Sequence, residues 1–156
     1  MRFLVSAPAR ANLQPIVRDW INSHSTLRIG YLNDFLPYCD TTPQGEVTGL
    51  IGDLTPRMLQ EMGIAEEELA YTGFNSYDEL IEAVNSGEID VAFPVGGGLY
   101  YSEENGVYQS NPVTSLSMDL VYSGEYSSDR FVDFAVNKNN SMQRYYTITQ
   151  FPNASI

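Results

Sequence analysis

An α/β fold, with a mostly parallel sheet flanked by helices, follows from three features of the sequence. Short apolar runs of strand type occur at residues 27–31, 69–72 and 89–93, amphipathic helical stripes lie between them, and turn or cap residues stand at the junctions. Strands alternating with helices are joined by right-handed crossovers that leave the strands parallel. At 156 residues and 43% apolar content the chain is long enough to bury a real core.

Taken in order, Asn12 is placed to cap a first helix, whose residues Leu13, Ile16, Val17, Trp20 and Ile21 fall on one stripe, with Pro15 tolerated in the first turn. Polar residues 22–25 end it. Residues 27–31 alternate as a strand and run into Asp34-Phe35-Leu36-Pro37-Tyr38, where Pro37 blocks a sheet ladder and a loop is expected. Pro43-Gln44-Gly45-Glu46 is turn chemistry. A second helix follows, with Leu50, Ile51, Leu54, Met58, Leu59 and Met62 on one face and Gly63 as its stop.

After the short strand at 69–72, Ser76-Tyr77-Asp78-Glu79 reads as a capping box opening a helix that Gly87 closes, with Tyr77, Leu80, Ile81 and Val84 inward. Residues 89–93 are apolar enough for a buried parallel strand. An irregular stretch from 96 to 111 precedes an expected strand at 114–122. Residues 131–136 read as a further strand, leading into a helix capped near Asn140 or Ser141 with Met142, Tyr145, Tyr146 and Thr149 on its face. No repeat, heptad or low-complexity tract interrupts this pattern.

The formal net charge of −12, from 20 acids against 8 bases, opposes nucleic-acid and anionic-lipid partners and favours cationic or neutral ones. No run reaches the roughly 20 apolar residues of a membrane span, and the opening Met1-Arg2-Phe3-Leu4-Val5 is too short for a secretory segment, so any export signal is expected to have been removed. The single Cys39 excludes an internal disulfide framework.

Few residues offer catalytic or cofactor chemistry. Gly96-Gly97-Gly98 lacks both the Walker spacing and the dinucleotide fingerprint, and reads instead as a loop whose backbone lets a ligand approach at a strand's carboxyl end, or as a plain flexible loop. His24, the only histidine, sits in a polar linker away from any strand-end nucleophile. Glu66-Glu67-Glu68 reads as a solvated face, and neither a calcium loop nor a Cys/His cluster is present, so no metal and no cofactor is expected. Phe35, Tyr38, Tyr100, Tyr101 and Tyr108 all fall in loops at strand ends. There they either line a cleft that stacks on an apolar or cationic ligand, or pack the core and hinge.

The order of Leu27-Arg28-Ile29-Gly30-Tyr31, Phe35-Leu36-Pro37-Tyr38, Gly49 with Asp53-Leu54, Tyr77-Asp78-Glu79-Leu80, Ser86-Gly87-Glu88-Ile89-Asp90-Val91 and Ser110-Asn111-Pro112-Val113 resembles the bacterial family 3 solute-binding proteins, class II periplasmic-binding-protein-like Venus-flytrap modules. The resemblance implies a first lobe at 27–123 after a lead-in helix and linker at 1–26, then a hinge and the start of an incomplete second lobe at 124–156. Asp19-Trp20-Ile21-Asn22-Ser23-His24 is similar to the lead-in of membrane-anchored receptors with histidine-kinase or diguanylate-cyclase outputs, which implies an extracytoplasmic sensor that closes on its ligand. A binding component of an amino-acid uptake system and a degenerate, ligandless interaction module stay open beside it. An enzyme rests only on catalytic relatives of the fold and is not expected.

The resemblance implies ligand contacts at Phe35, Tyr38, Gly97, Gly98 and Tyr101, with Asn140, Ser141 and Met142 offering amides of the second lobe; Asp53 and Arg57 are expected at the rim or in structural roles. The family's carboxylate-clamping arginine is missing: that region reads Tyr101-Ser102-Glu103-Glu104-Asn105, with no Lys or Arg between Arg57 and Arg130. An α-carboxylate would meet Glu103 or Glu104, so the expected solute is a small molecule other than a typical anionic amino acid. Because the segment after Phe131 supplies only one strand and one helix of the second lobe, its apolar face is expected either to fold back on the first lobe or, the favoured outcome, to pair with another copy through residues 131–156.

Overall fold

The computed structural model describes residues 14–96, 104–115, 117, 119, 121 and 133–156. The chain divides into two compact units, Met1–Pro94 and Val95–Ile156. In the first, three parallel strands run in the order β4-β1-β5, with β1 at Leu27–Leu32, β4 at Leu69–Phe74 and β5 at Val91–Phe93. Ile29 stands opposite Tyr71 on one side and Val91 on the other. The expected α/β class, with its parallel central strands, is what the chain adopts.

Central β1 is buried at every position but Arg28 because both faces are covered. α3 (Tyr77–Ser86) buries Tyr77, Leu80, Ile81 and Ala83, and the remaining core includes Leu27, Ile29, Tyr31, Ile51, Ile64 and Ile89. The caps are largely those expected. Ser76 Oγ accepts from the Glu79 amide at 3.2 Å, and Gly87 ends α3 in the left-handed region. α2 (Leu50–Glu61) stops at Gly63, with the Gly63 amide on Gln60 and the Ile64 amide on Leu59. Glu66–Glu68 forms a 3-10 turn: Glu66 and Glu67 are exposed, whereas Glu68 turns back to accept from the Ala65 amide at 2.7 Å.

Four expectations need correction. α1 (Pro15–Ser23) is preceded by Gln14, which makes no side-chain cap, while Asn12 lies outside the described residues; the stripe is real but buries nothing, and Ile16 is 75% exposed. β5 is shorter than 89–93, because Ile89 gives its amide to Ala83 of α3 and the Asp90 side chain turns to Arg28, and among the described residues it lies at the sheet edge with Val91 exposed. Of the strand expected at 114–122, residues 114, 115, 117, 119 and 121 are described, and these are not in a strand. From 131–136, Phe131 and Val132 lie outside the described residues, and Asp133 makes a single parallel bridge to Ser155.

Arg28 and Asp90 tie the amino end of β1 to the start of β5. The Asp90 carboxylate accepts from the Arg28 amide at 2.9 Å, Nε at 3.0 Å and Nη2 at 2.6 Å, a forked pair. The Arg28 guanidinium thereby holds the Asp90 carboxyl below the ordinary carboxylate range. A depressed carboxyl stabilises the fold above its unfolded value of about 4 and loses that contribution as pH falls through the folded value. Asp90→Asn is therefore expected to melt below wild type at pH 7, with the gap closing as melts are taken towards pH 2; a gap independent of pH would remove the ion pair from the account.

In the second unit, α4 (Ser141–Gln150) opens where expected: Asn140 Oδ1 accepts from the Gln143 amide at 3.0 Å. The Phe134 and Phe151 rings meet tilted by 33° with centroids 4.7 Å apart, and the Phe134 amide donates to Ser155 at 2.8 Å. The chain thus returns parallel to its start after one helix, the nucleus of a strand-helix-strand unit.

Candidate functional site at the strand carboxyl ends

Open parallel sheets place ligands beyond the carboxyl ends of their strands. Beyond β1 the chain passes Asn33 and Asp34 and closes a loop in which Phe35 and Cys39 exchange backbone hydrogen bonds, each 3.1 Å, and the Tyr38 amide donates to Phe35 at 2.9 Å. Leu36-Pro37 is cis. The Phe35 and Tyr38 rings lie 5.8 Å apart, tilted by 38°, and both are half-buried. The expected first-lobe aromatics therefore sit together on one short loop.

That loop is clamped from the helix behind it. The first amides of α2, which have no partner within their own helix, donate to it: Leu50 to the Pro37 carbonyl and Ile51 to the Tyr38 carbonyl, both at 3.0 Å. Gly49 makes the approach possible, with φ of +90° and a backbone so close that a Cβ would stand 2.9 Å from the Tyr38 carbonyl carbon. Cys39, fully buried beneath, has its thiol pushed up to about 11 by desolvation, which leaves it protonated and inert at neutral pH.

A second support was not anticipated from sequence. β2 (Asp40–Thr41) and β3 (Val47–Thr48) form a small antiparallel hairpin around the expected turn at 43–46. From it, the Thr41 hydroxyl donates to Asn33 Oδ1 at 2.6 Å, so the Tyr31 hydroxyl, 2.7 Å away, must donate to Thr41. Asn33 Nδ2 passes the chain on to Asn75 Oδ1 at 2.9 Å, beyond the end of β4. Asp40 Oδ1 accepts from the amides of Asp34 and Thr41, at 3.0 and 2.7 Å. Asp34 itself is held at φ +56°. The carboxyl ends of β1 and β4 are thus joined by a directed run of hydrogen bonds under the aromatic loop.

Of the remaining expected contacts, Gly97, Gly98 and Tyr101 lie outside the described residues, as do Tyr100 and Glu103. Glu104 is exposed, and so is Tyr108. Asn140 is half-buried and serves α4 as its cap, and its own amide donates to Asn137 at 3.1 Å. Ser141 is exposed at the first position of α4, and Met142 follows with its sulfur against Gly96. Within the second unit, Gly96 and the amino end of α4 therefore meet. Asp53 and Arg57 are exposed on α2.

His24 belongs to a different place. It follows α1, with its ring stacked on Trp20 at 4.1 Å and Nδ1 2.8 Å from the Trp20 carbonyl, immediately before the amino end of β1. Among the described residues no group of three or more His, Cys, Asp or Glu side chains is arranged to hold a metal, and no helix is long and apolar enough to cross a membrane.

No family model matches the chain, and no curated protein does. Among solved structures it is similar to the VFT2 domain of Bordetella pertussis BvgS, at 22% identity and a TM-score of 0.45 over 55% of this chain and 33% of that one. It is similar to the arginine-bound form of domain 1 from TmArgBP, at 22% identity and a TM-score of 0.44 over 55% of this chain and 65% of that one. An ancestral cyclohexadienyl dehydratase also matches, at 23% identity and a TM-score of 0.40 over 47% of this chain and 29% of that one. The chain spans less than two thirds of each of these structures.

Proposed function

We propose that this chain is the solute-binding part of an extracytoplasmic sensor, which captures a small molecule without altering it and reports capture to a membrane-linked output domain. The observation that carries the reading is the Phe35–Tyr38 loop: two aromatic rings beyond the carboxyl end of the central strand, clamped by the first amides of α2. Preorganised rings suit recognition by stacking or cation–π attraction. Gly97, Gly98 and Tyr101, with Asn140, Ser141 and Met142, complete the proposed contacts. Binding is favoured over catalysis because the two side chains best suited to nucleophilic chemistry are otherwise engaged, His24 on Trp20 and Cys39 as a buried, protonated thiol.

The solute is cationic or neutral and has no need of a carboxylate clamp. Calorimetry with putrescine, agmatine, L-glutamine and L-glutamate tests this. Micromolar binding of a cationic probe, reduced at least tenfold by Phe35→Ala or Tyr38→Ala, is the expected result. Micromolar binding of either amino acid would overturn the ligand assignment, and no binding of any probe would overturn the reading.

We also propose that residues 131–156 pair with a second copy. α4 buries none of its residues, Ile148 and Ile156 are exposed, and Tyr145 and Tyr146 are only half-buried. Size-exclusion chromatography with light scattering is expected to give at least a dimer at micromolar concentration, and Tyr146→Glu with Ile148→Glu to return it to monomer; a monomeric wild type removes the proposal.

A further inference from the structure

Asparagine followed directly by glycine occurs once in the chain, at Asn105-Gly106. The pair lies in a turn of the second unit, and Gly106 is exposed, with φ of +71° in the left-handed region that glycine adopts freely. Asn105 is half-buried and makes contacts of its own, so what sets this pair apart is the residue that follows it.

Such a pair carries its own reaction. When the Gly106 backbone nitrogen loses its proton to water or hydroxide, it can attack Cγ of the Asn105 side chain. The N–Cγ bond forms, the Cγ–Nδ2 bond breaks, and Nδ2 leaves as ammonia after taking a proton from solvent. Water then opens the five-membered imide at either of its carbonyls, giving aspartate or isoaspartate. One water is consumed and one ammonia released, and no oxidant, metal or enzyme takes part. Two features slow this attack at an ordinary asparagine. A Cβ on the next residue crowds the attacking nitrogen, and in a helix the hydrogen-bonded backbone is fixed and cannot turn that nitrogen onto the side chain. Gly106 has no Cβ.

The rival positions are guarded by the fold. Asn22, Asn75, Asn85 and Asn140 each precede a serine. Asn22 and Asn85 lie within the last turns of α1 and α3, whose final residues are Ser23 and Ser86. Asn75 Oδ1 is held by Asn33 Nδ2 at 2.9 Å, and Asn140 Oδ1 by the Gln143 amide at 3.0 Å. Asn153 is exposed in a turn, as Gly106 is, but Ala154 follows it with a Cβ.

We infer that Asn105 is a site of spontaneous deamidation, attacked by the backbone nitrogen of Gly106 with water as the only co-reactant. The product places a new carboxylate beside Glu104 and takes the formal net charge one step below −12. In its isoaspartate form it also routes the main chain through the former side chain and lengthens the turn by one carbon. The charge of this segment therefore depends on the age of the molecule. The inference stands apart from the solute-binding reading.

The test is to hold purified protein at physiological temperature and mildly alkaline pH, in buffer and in guanidinium chloride, and to follow each asparagine by peptide mass spectrometry. In buffer, residue 105 should gain about 1 Da at least about tenfold faster than Asn22, Asn75, Asn85, Asn140 or Asn153. Its rate in buffer should lie within about tenfold of its rate in guanidinium, while the four asparagines that precede serine should speed up on unfolding. Gly106→Ala should slow the gain by about tenfold or more, and Asn105→Gln should abolish it. Conversion at 105 no faster than at Asn153, or slowed by the fold more than about tenfold, overturns the inference. Should Gly106→Ala fail to fold, the wild-type rates alone decide between these outcomes.

Discussion

Leu80→Ala is expected to destabilise the first unit by about 2–5 kcal/mol, enough to lower the melting temperature by roughly 10 °C. Leu80 is fully buried on α3 and faces β1 where Gly30 presents bare backbone. A Cβ on Gly30 would collide with the tips of Leu80 and Ile89, so those side chains already fill the space that a residue there would take. Truncating Leu80 thus opens a hole beside a strand with no side chain to lean into it, and the site collapses poorly. Glu82→Ala, exposed on the same helix, is the control and should stay within about 0.5 kcal/mol of wild type. Urea unfolding of both variants reads the difference; a loss under about 1 kcal/mol for Leu80→Ala would mean that the sheet and α3 do not share one core.

The parallel sheet was legible because its signals agree across levels. Residues 27–31 are apolar almost throughout, as a strand buried on both faces must be, and the stretches to 69 and to 89 each hold a helical stripe closed by glycine. Ser76 and Asn140 marked helix starts through the same chemistry, a side-chain oxygen taking an orphan amide. What periodicity could not show was competition for individual groups. Asp90 looks like part of a strand until Arg28, 62 residues earlier, takes its carboxylate. The hairpin at 40–48 has strands of two residues, too short to carry an alternation.

The aromatic loop was legible for a similar reason: Phe35 and Tyr38 follow a strand end directly, and Pro37 forbids the strand to continue. Its supports were not. Gly49, Leu50 and Ile51 read as the opening of a helix, and nothing local says that their amides point at Pro37 and Tyr38. Asn33, Thr41 and Asn75 read as polar loop residues facing water, because their partners lie 8 and 42 positions away. The available signal was position: Asn33 and Asn75 each stand just beyond the last residue of a parallel strand, at neighbouring points of one sheet edge.

That hydrogen-bonded run makes the second large effect. Thr41→Val keeps the side-chain shape but deletes the hydroxyl that both accepts from Tyr31 and donates to Asn33. Tyr31 is 2% exposed, so its hydroxyl is left buried without that partner, a cost of about 1–3 kcal/mol. Asn33 loses its donor as well, and it is the residue from which the chain turns through Asp34 into the aromatic loop, so solute affinity should fall together with stability. Thr41→Ser, which keeps the hydroxyl, should stay close to wild type in both. Tyr31→Phe removes the buried donor instead, and in the double variant Tyr31→Phe with Thr41→Val no unpaired hydroxyl remains at that position. The double variant should therefore be less destabilised than the sum of the singles, by about 1 kcal/mol or more in a cycle measured by urea unfolding. Strict additivity would mean that Tyr31 and Thr41 do not share a proton-donating run, and that the loop is held by α2 alone.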